Sequence, residues 1–389
     1  MTGLVSTIDI RCQTGSKDLS YEDFWNIAGR AGRTLLDTLG VVAFPATTNA
    51  KLSAFQQFLQ GEANIIASQL VGLIEAADEI ANNFNLNMIE KWPALSSLMQ
   101  FLAHALHVSG RDDVAEDVED ILRASLVYYQ VERSDPKALT QLVSICQSYL
   151  QSIRGERGIV ALSEQTGFAT PSVLRLLQDS RRDRELSEVQ NWDPSRLFGN
   201  NINPLTRRIE AIAELPEIRL GAGQHPPFNA QRVAAILRDW IRGDNLKDLT
   251  RRYLISSETD ESRRIGEFSS YLFSQLIVRA SWGLGALETV SLAGTSDTEM
   301  EEAGYVPSMT YFGVDRKEAV WLRMAGVPRV IANSAGELWR RTIVSEPGSF
   351  QEIRNWISDL SDNDWRQIIP SESELTPREI RSLCSLLVG

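Results

Sequence analysis

Apolar residues recur at helical spacing over most of this chain, and at strand spacing only near its start. In FQQFLQGEANIIASQLVGLIEAADEIANNF (55–84), in WPALSSLMQFLAHALHVSG (92–110) and in VAEDVEDILRASLVYYQV (114–131) they return every three or four positions, the pattern of amphipathic helices. The clearest case is NAQRVAAILRDWIRGDN (229–245), where Val233, Ile236, Leu237, Trp240 and Ile241 fall on one helical face and Gly243 is placed as the stop. The first 46 residues differ. VSTIDIRC (5–12) and LGVVAFPA (39–46) are short β-branched runs that read as strands, and Ser20 with Glu22 and Asp23 marks a helix start between them.

These patterns predict a mainly α protein with a small α/β remnant at its N-terminus. The remnant (1–46) is a strand, helix and strand, too small to close its own sheet. A helical region occupies 47–197 and a second 198–345, separated by the Pro- and Asn-rich joint FGNNINPL (198–205); a further joint, GAGQHPPFN, spans 221–229. Residues 346–389 read as an acidic helical tail.

Composition narrows the class. With 389 residues, 43% hydrophobic and 23% charged, the chain is long enough for two or three globular domains. The N-terminus has no basic region leading into an apolar run, and the most apolar stretch, YLFSQLIVRASWGLGAL (271–287), is interrupted by Arg279. Cys12, Cys146 and Cys384 lie far apart and make neither a disulfide framework nor a zinc pair. The expectation is a cytoplasmic protein that does not engage a membrane. A net charge of −12 argues against a protein that wraps nucleic acid over its whole surface. Charge is segregated, however. Acids gather at 111–120, 296–302 and in the last forty residues, whereas arginines gather at 175–184 and from Arg232 to Arg264.

The run NIAGRAGR (26–33) carries the most specific chemistry. Arg30 and Arg33 lie three apart at a helix start, each after a glycine, Gly29 and Gly32. Two guanidinium groups on one face suit bidentate contact with phosphate oxygens, and arginines offered to a γ-phosphate stabilise charge in phosphoryl transfer. A plain Gly/Arg helix start on a surface has the same pattern. In its setting, after a strand and before an aspartate, a glycine and an apolar strand, the run resembles motif VI of superfamily-two helicases, in the second RecA-like domain. The likeness is to the branch with a winged helix and a helical ratchet bundle behind the motor. That motif usually runs Q-x-x-G-R-x-G-R, and Asn26 stands where glutamine is usual. The resemblance implies that Arg30 and Arg33 sense the γ-phosphate, while Asn26, Gly29 and Gly32 couple nucleotide to nucleic acid. It covers only the end of the motor and the region behind it.

No G-x-x-x-x-G-K-[ST] occurs; TGSKD (14–18) lacks the leading glycine, and ADEIA (77–81) lies in a helical pattern rather than at a metal-binding strand end. The expectation is a chain inactive alone. ATP and Mg would bind only when a missing N-terminal motor half or a separate motor polypeptide completes the pocket, and Met1 would not be the biological start. The partners expected are that motor half and a DNA or RNA strand.

Three further segments bear on strand binding. In GIVALSEQTGFATPSVLRLLQDSRR (158–182), Ser163, the turn at Gly167, and Val173 and Leu176 fit a helix-turn-helix. Thr170 reads as the cap and Pro171 as the first position of its second helix. Arg175, Arg181 and Arg182 would meet phosphates; an αα-corner inside a bundle fits the spacing as well. In VWLRMAGVPRVIANSAGELW (320–339), Gly326, Val327 and Pro328 between two helices, with Ala332 closing the second, resemble a helix-hairpin-helix. Arg323 and Arg329 would be its backbone contacts. Pro328 removes one amide donor, and tight helical packing is the other reading. Arg238, Arg242, Arg251 and Arg252 are the candidates for a strand-guiding basic groove.

Of the histidines, His104 and His107 are one turn apart without a cysteine partner, and His225 has no catalytic neighbour, so no metal site is expected. The residues are best read as the C-terminal fragment or split subunit of an ATP-dependent helicase. The alternative is a non-catalytic helical adaptor or scaffold.

Overall fold

A computed structural model describes residues 136–153, 156–220, 228–295, 305–343, 345–370 and 376–388, with short stretches at 99–104 and 118–120 and four positions between 49 and 56. The predicted strands and helix of residues 1–46, including Asn26, Gly29, Arg30, Gly32 and Arg33, lie outside the described residues.

Every regular element among the described residues is helical. In chain order they are α1 (Pro136–Ile153), α2 (Arg157–Thr166), α3 (Thr170–Arg182), α4 (Arg184–Ser187), a 3-10 turn (Val189–Trp192), α5 (Pro194–Leu197), α6 (Asn203–Ala213), α7 (Ala230–Ile241) and α8 (Leu246–Tyr253). Then come α9 (Glu261–Tyr271), which runs through a π-turn (Leu272–Leu276) into α10 (Ile277–Ser291), and α11 (Val306–Phe312), α12 (Lys317–Met324), α13 (Arg329–Thr342), α14 (Phe350–Asp359), α15 (Asp362–Ile368) and α16 (Pro377–Val388).

The centre of this body is α10. Its stretch from Ile277 to Val290 is apolar on most sides, which marks a helix enclosed by others rather than one lying on a surface. Ala280, Gly283, Leu284 and Leu287 are buried against α2, α3, α6 and α11. Gly283 lets α6 come close, since a Cβ there would stand 2.6 Å from Ile212 Cδ1. Around α10 one apolar cluster gathers Phe168 and Val173 of the first helical segment with Leu205, Ile209 and Trp240 of the next. The core is therefore continuous across residues 197 and 198, where the sequence suggested a boundary. The predicted face of α7 is buried as expected, and Gly243 ends the helix with φ of +101°.

A second apolar cluster contains Leu322, Ile331, Trp339, Ile353, Trp365, Ile380 and Cys384. It packs α14–α16 onto the α12–α13 hairpin, so the acidic C-terminal segment has an apolar inner side. The hairpin itself faces both ways, because Ala319, Val320 and Ala332 belong to the first cluster. Its two helices approach closely at Gly336, where a Cβ would lie 2.8 Å from the Ala319 backbone nitrogen.

One charge is entirely inside. Arg208 has no exposed surface, and burying a charge is costly unless its donors are satisfied. Its Nη1 donates to the Pro204 carbonyl at 2.9 Å, and its Nη2 to the Glu185 and Asn191 carbonyls at 2.8 Å each, with the guanidinium 4.4 Å above the Trp192 ring. Nearby on α10, Glu288 is also buried; burial pushes its carboxyl up to about 8, against the opposing pull of the Arg208 charge.

Two glycines test this packing with opposite signs. Gly336→Ala should destabilise the protein by about 1–3 kcal/mol through overpacking against the α12 backbone. Gly266→Ala, on α9 with nothing within 4 Å of the added carbon, should stabilise it by about 0.5–1 kcal/mol through helix propensity. Urea denaturation measures both. Glu288 gives a pH signature as well. A carboxyl held up in the folded state keeps its proton while the unfolded chain loses its own, so folded stability is fullest below the unfolded pKa. It should fall as pH rises from about 5 toward 8, by about 1.4 kcal/mol per pH unit at the steepest. Denaturation midpoints across that range should flatten in Glu288→Gln; an unchanged slope would place the titration elsewhere.

Candidate nucleic-acid interface

The segment that fits a helix-turn-helix does form two helices and a tight turn. Gly167 ends α2 with φ of +71°, a left-handed conformation that glycine adopts without strain, and its N–H donates to the Ser163 carbonyl at 2.9 Å. The Ser163 hydroxyl donates to the Phe168 carbonyl, and Trp282 Nε1 donates to Thr166 O at 2.8 Å. The turn is thus locked onto α10.

The second helix, α3, is unlike one that reads DNA. Thr170 is its first residue rather than its cap; Ala169 holds the cap position, and the Thr170 hydroxyl bonds instead to Tyr149 Oη at 2.6 Å. Thr170, Pro171, Ser172 and Val173 are all buried, so the first turn cannot present side chains to base edges. Its amide end is occupied as well. Glu217 accepts from Ala169 N at 2.9 Å and from Ser172 Oγ at 2.9 Å, placing a carboxylate where a helix N-terminus would otherwise attract a phosphate. This geometry is an αα-corner. Arg175 lies beside Asp179 and Glu214, at 4.0 Å and 3.5 Å, whereas Arg181 and Arg182 are exposed at the far end of α3.

The α12–α13 hairpin is closed in a similar way. Gly326 takes φ of +100°, and the Gly326 and Val327 amides donate to Arg323 O at 3.1 Å and Leu322 O at 3.0 Å. Those bonds satisfy the carbonyls at the end of α12 in a Schellman turn. With Pro328 lacking an N–H, the turn has no free amide pair for a phosphate. Arg323 Nη1 donates at 2.5 Å to Val327 O, inside its own hairpin. Arg329 reaches across to the end of α7, donating to Trp240 O at 2.8 Å and Asp244 O at 2.6 Å, with its plane 3.8 Å from the Trp240 ring. Burial pushes this guanidinium down to about 10, with the Arg323 charge acting the same way and Asp244 opposing. Both arginines are thus tied to protein carbonyls.

The expected groove over α7 and α8 is charge-balanced. Arg238 binds Asp239 Oδ1 through Nε at 2.9 Å and Nη2 at 2.7 Å, and Arg252 binds Asp239 and, at 2.8 Å, Asp244. Arg242 donates to Phe198 O and Asn200 Oδ1, each at 3.0 Å, while Arg251 pairs with Glu261 at 2.9 Å. The centre of this network is Asp239, which sequence patterning passes over because it sits within an apolar helix face. It is 4% exposed and also accepts from Tyr253 Oη at 2.6 Å. Burial alone would raise its carboxyl, but the bonds from Tyr253, Arg238 and Arg252 outweigh that and hold it below the ordinary aspartate range.

His104 Nδ1 lies 2.8 Å from Glu164 Oε2 beside a shallow depression shared with Gln100, Phe101 and Gly167. His107 and His225 lie outside the described residues. Among the described residues no group of three or more His, Cys, Asp or Glu could hold a metal ion, and no helix is long and apolar enough to cross a membrane. No protein-family model, curated protein or solved structure matches this chain.

Asp239→Ala should cost about 3–5 kcal/mol, because it strands two arginines and a tyrosine around a buried point. Arg252→Ala, whose side chain is half exposed, should cost about 1 kcal/mol or less. Comparing their denaturation midpoints at neutral pH checks the ranking. Since the Asp239 carboxyl is held low, its contribution is present at neutral pH and is lost only in acid, the reverse of Glu288.

Proposed function

We propose that this chain is the C-terminal part, or a separate subunit, of an ATP-dependent nucleic-acid helicase. The observation that carries the reading is NIAGRAGR at 26–33, with Arg30 and Arg33 spaced as γ-phosphate-sensing arginines and a helical region behind them. In this role Arg30 and Arg33 complete a nucleotide pocket whose other wall, with its P-loop lysine and magnesium-holding carboxylate, comes from a motor half. On this reading ATP and Mg bind in that completed pocket. The closely packed core around α10 suits a lever that moves as one piece when the motor closes on ATP.

One observation favours the second reading, a non-catalytic helical adaptor. The arginines of α7, α8 and α13 that would guide a strand are bound to carboxylates and carbonyls of the same body.

Hydrolysis measurements decide between them. The chain alone should release no phosphate from ATP. Mixed with a polypeptide that carries the P-loop and the Asp-Glu motif, it should support hydrolysis stimulated by nucleic acid. Arg33→Ala should then lower the rate by about 10³-fold or more. Full activity in that variant removes the finger role, and absence of any stimulated hydrolysis in the mixture selects the adaptor.

A further inference from the structure

A different set of arginines lies together at the corner where α3, α4, α5 and α6 meet. Asp183, the one residue between α3 and α4, caps α4 by accepting from Glu185 N at 3.0 Å and also receives Arg207 Nη1 of α6 at 3.0 Å. Glu185 receives Arg196 Nη2 of α5 at 2.7 Å. Arg184 stands between these two acids in sequence, close behind Arg181 and Arg182. Arg196 and Arg207 are thereby drawn to the junction of α3 and α4, where Arg181, Arg182 and Arg184 are exposed, so that five arginines come from four elements around this corner. Arg181, Arg182 and Arg184 form no ion pair with any described residue.

Beneath this surface lies the buried Arg208, whose three carbonyl contacts join α4, the 3-10 turn and α6. The backbone that carries the surface arginines is therefore held in place, while their exposed side chains are ordered only when a ligand arrives. From Asp179 to Arg208 six arginines stand against five acids, Asp179, Asp183, Glu185, Glu188 and Asp193, so the segment is one charge positive on a chain whose net charge is −12. The arginines of α13 contrast with Arg181, Arg182 and Arg184. Arg340 and Arg341 both lie on Glu337, at 2.9 Å and 3.0 Å, and Arg316 shares the same carboxylate.

We propose that the surface formed by Arg181, Arg182, Arg184, Arg196 and Arg207 binds the phosphate backbone of a nucleic-acid strand. The proposal extends the helicase reading by naming where the helical body holds its strand, and it rests on that reading for the strand's role in ATP-driven steps. Three features point to phosphates. Every cation on the surface is arginine, and no lysine occurs between Lys137 and Lys247; the planar guanidinium fork matches phosphate oxygens in pairs, as an ammonium does not. Charges drawn from four elements suit a ligand that repeats its own charge. No large apolar side chain from 181–207 is exposed, so the surface lacks the apolar wedge by which an amphipathic face enters a lipid bilayer. With no exposed aromatic to stack a base, contact is with the backbone and independent of base sequence.

The test uses the full chain and fluorescently labelled oligonucleotides, a single DNA strand, its duplex and the equivalent RNA, monitored by anisotropy at about 50 and 200 mM salt. Wild type should bind at the lower salt with little dependence on base sequence. Arg181→Glu, Arg182→Glu and Arg184→Glu together should weaken binding more than about tenfold and reduce the salt slope by about 2–3. Arg340→Glu with Arg341→Glu should change it by less than about threefold, and circular dichroism should show both variants folded. If the triple variant misfolds, Arg184→Gln alone should still weaken binding measurably. The proposal is overturned if wild type does not bind, if the two charge reversals weaken binding alike, or if phosphatidylserine vesicles or polyglutamate bind here while oligonucleotides do not. Binding needs no ATP, so a failed hydrolysis experiment with intact strand binding removes the motor reading and leaves this surface standing. Stimulated hydrolysis with strand binding indifferent to Arg181, Arg182 and Arg184 does the reverse.

Discussion

A helix ends with carbonyl oxygens that no later amide in the helix can reach. In this protein guanidinium groups satisfy many of them, and the packing of the helices depends on it. Arg329 closes the end of α7 through Trp240 O and Asp244 O, Arg232 reaches Tyr253 O at the end of α8, and Arg242 reaches Phe198 O beyond α5. Inside the core Arg208 binds three carbonyls at once, those of Glu185 and Asn191 in short helical turns and that of Pro204 in the first turn of α6. An arginine has five N–H donors in a rigid plane, so one side chain can fix two or three elements while its apolar face lies on a tryptophan. Trp192 and Trp240 serve in this way.

This use of arginine explains what could be read from the chain and what could not. Helices such as α7 were legible because burial imposes a 3.6-residue period, and the stops at Gly167, Gly243 and Gly326 were legible because left-handed backbone favours glycine. The role of an arginine is set by whatever lies opposite it. Arg329 meets Trp240 O across 89 positions of chain, and nothing near Arg329 in sequence distinguishes that carbonyl from a phosphate. Thr170 shows the same limit on a smaller scale. Its hydroxyl suits a helix cap, but Tyr149 of α1 takes it, and the cap position falls to Ala169. Asp239 and Glu288 were illegible for a related reason: a carboxyl within an apolar face shows its role only through its neighbours in space.

The arginines therefore divide by environment rather than by motif. Those of α7, α8, α12 and α13 meet carboxylates or carbonyls within the body. Around α4, Arg196 and Arg207 are likewise paired, with Glu185 and Asp183, whereas Arg181, Arg182 and Arg184 are exposed and form no ion pair with a described residue. The pair at Arg30 and Arg33 differs from both in being tied to a sequence pattern with glycine at fixed spacing. Charge content alone would have merged the paired and unpaired arginines of the helical body, whereas the identity of each acceptor separates them.

The α12–α13 hairpin, with one side in each apolar cluster, has a thermodynamic consequence. Detaching α14–α16 would expose Trp339 and Ile331, and loosening the hairpin to relieve that exposure would withdraw Ala319, Val320 and Ala332 from the cluster around α10. Neither half can melt while leaving the other unchanged. The shared hairpin should thus make the two clusters partners in a single heat-absorption transition rather than two separate ones.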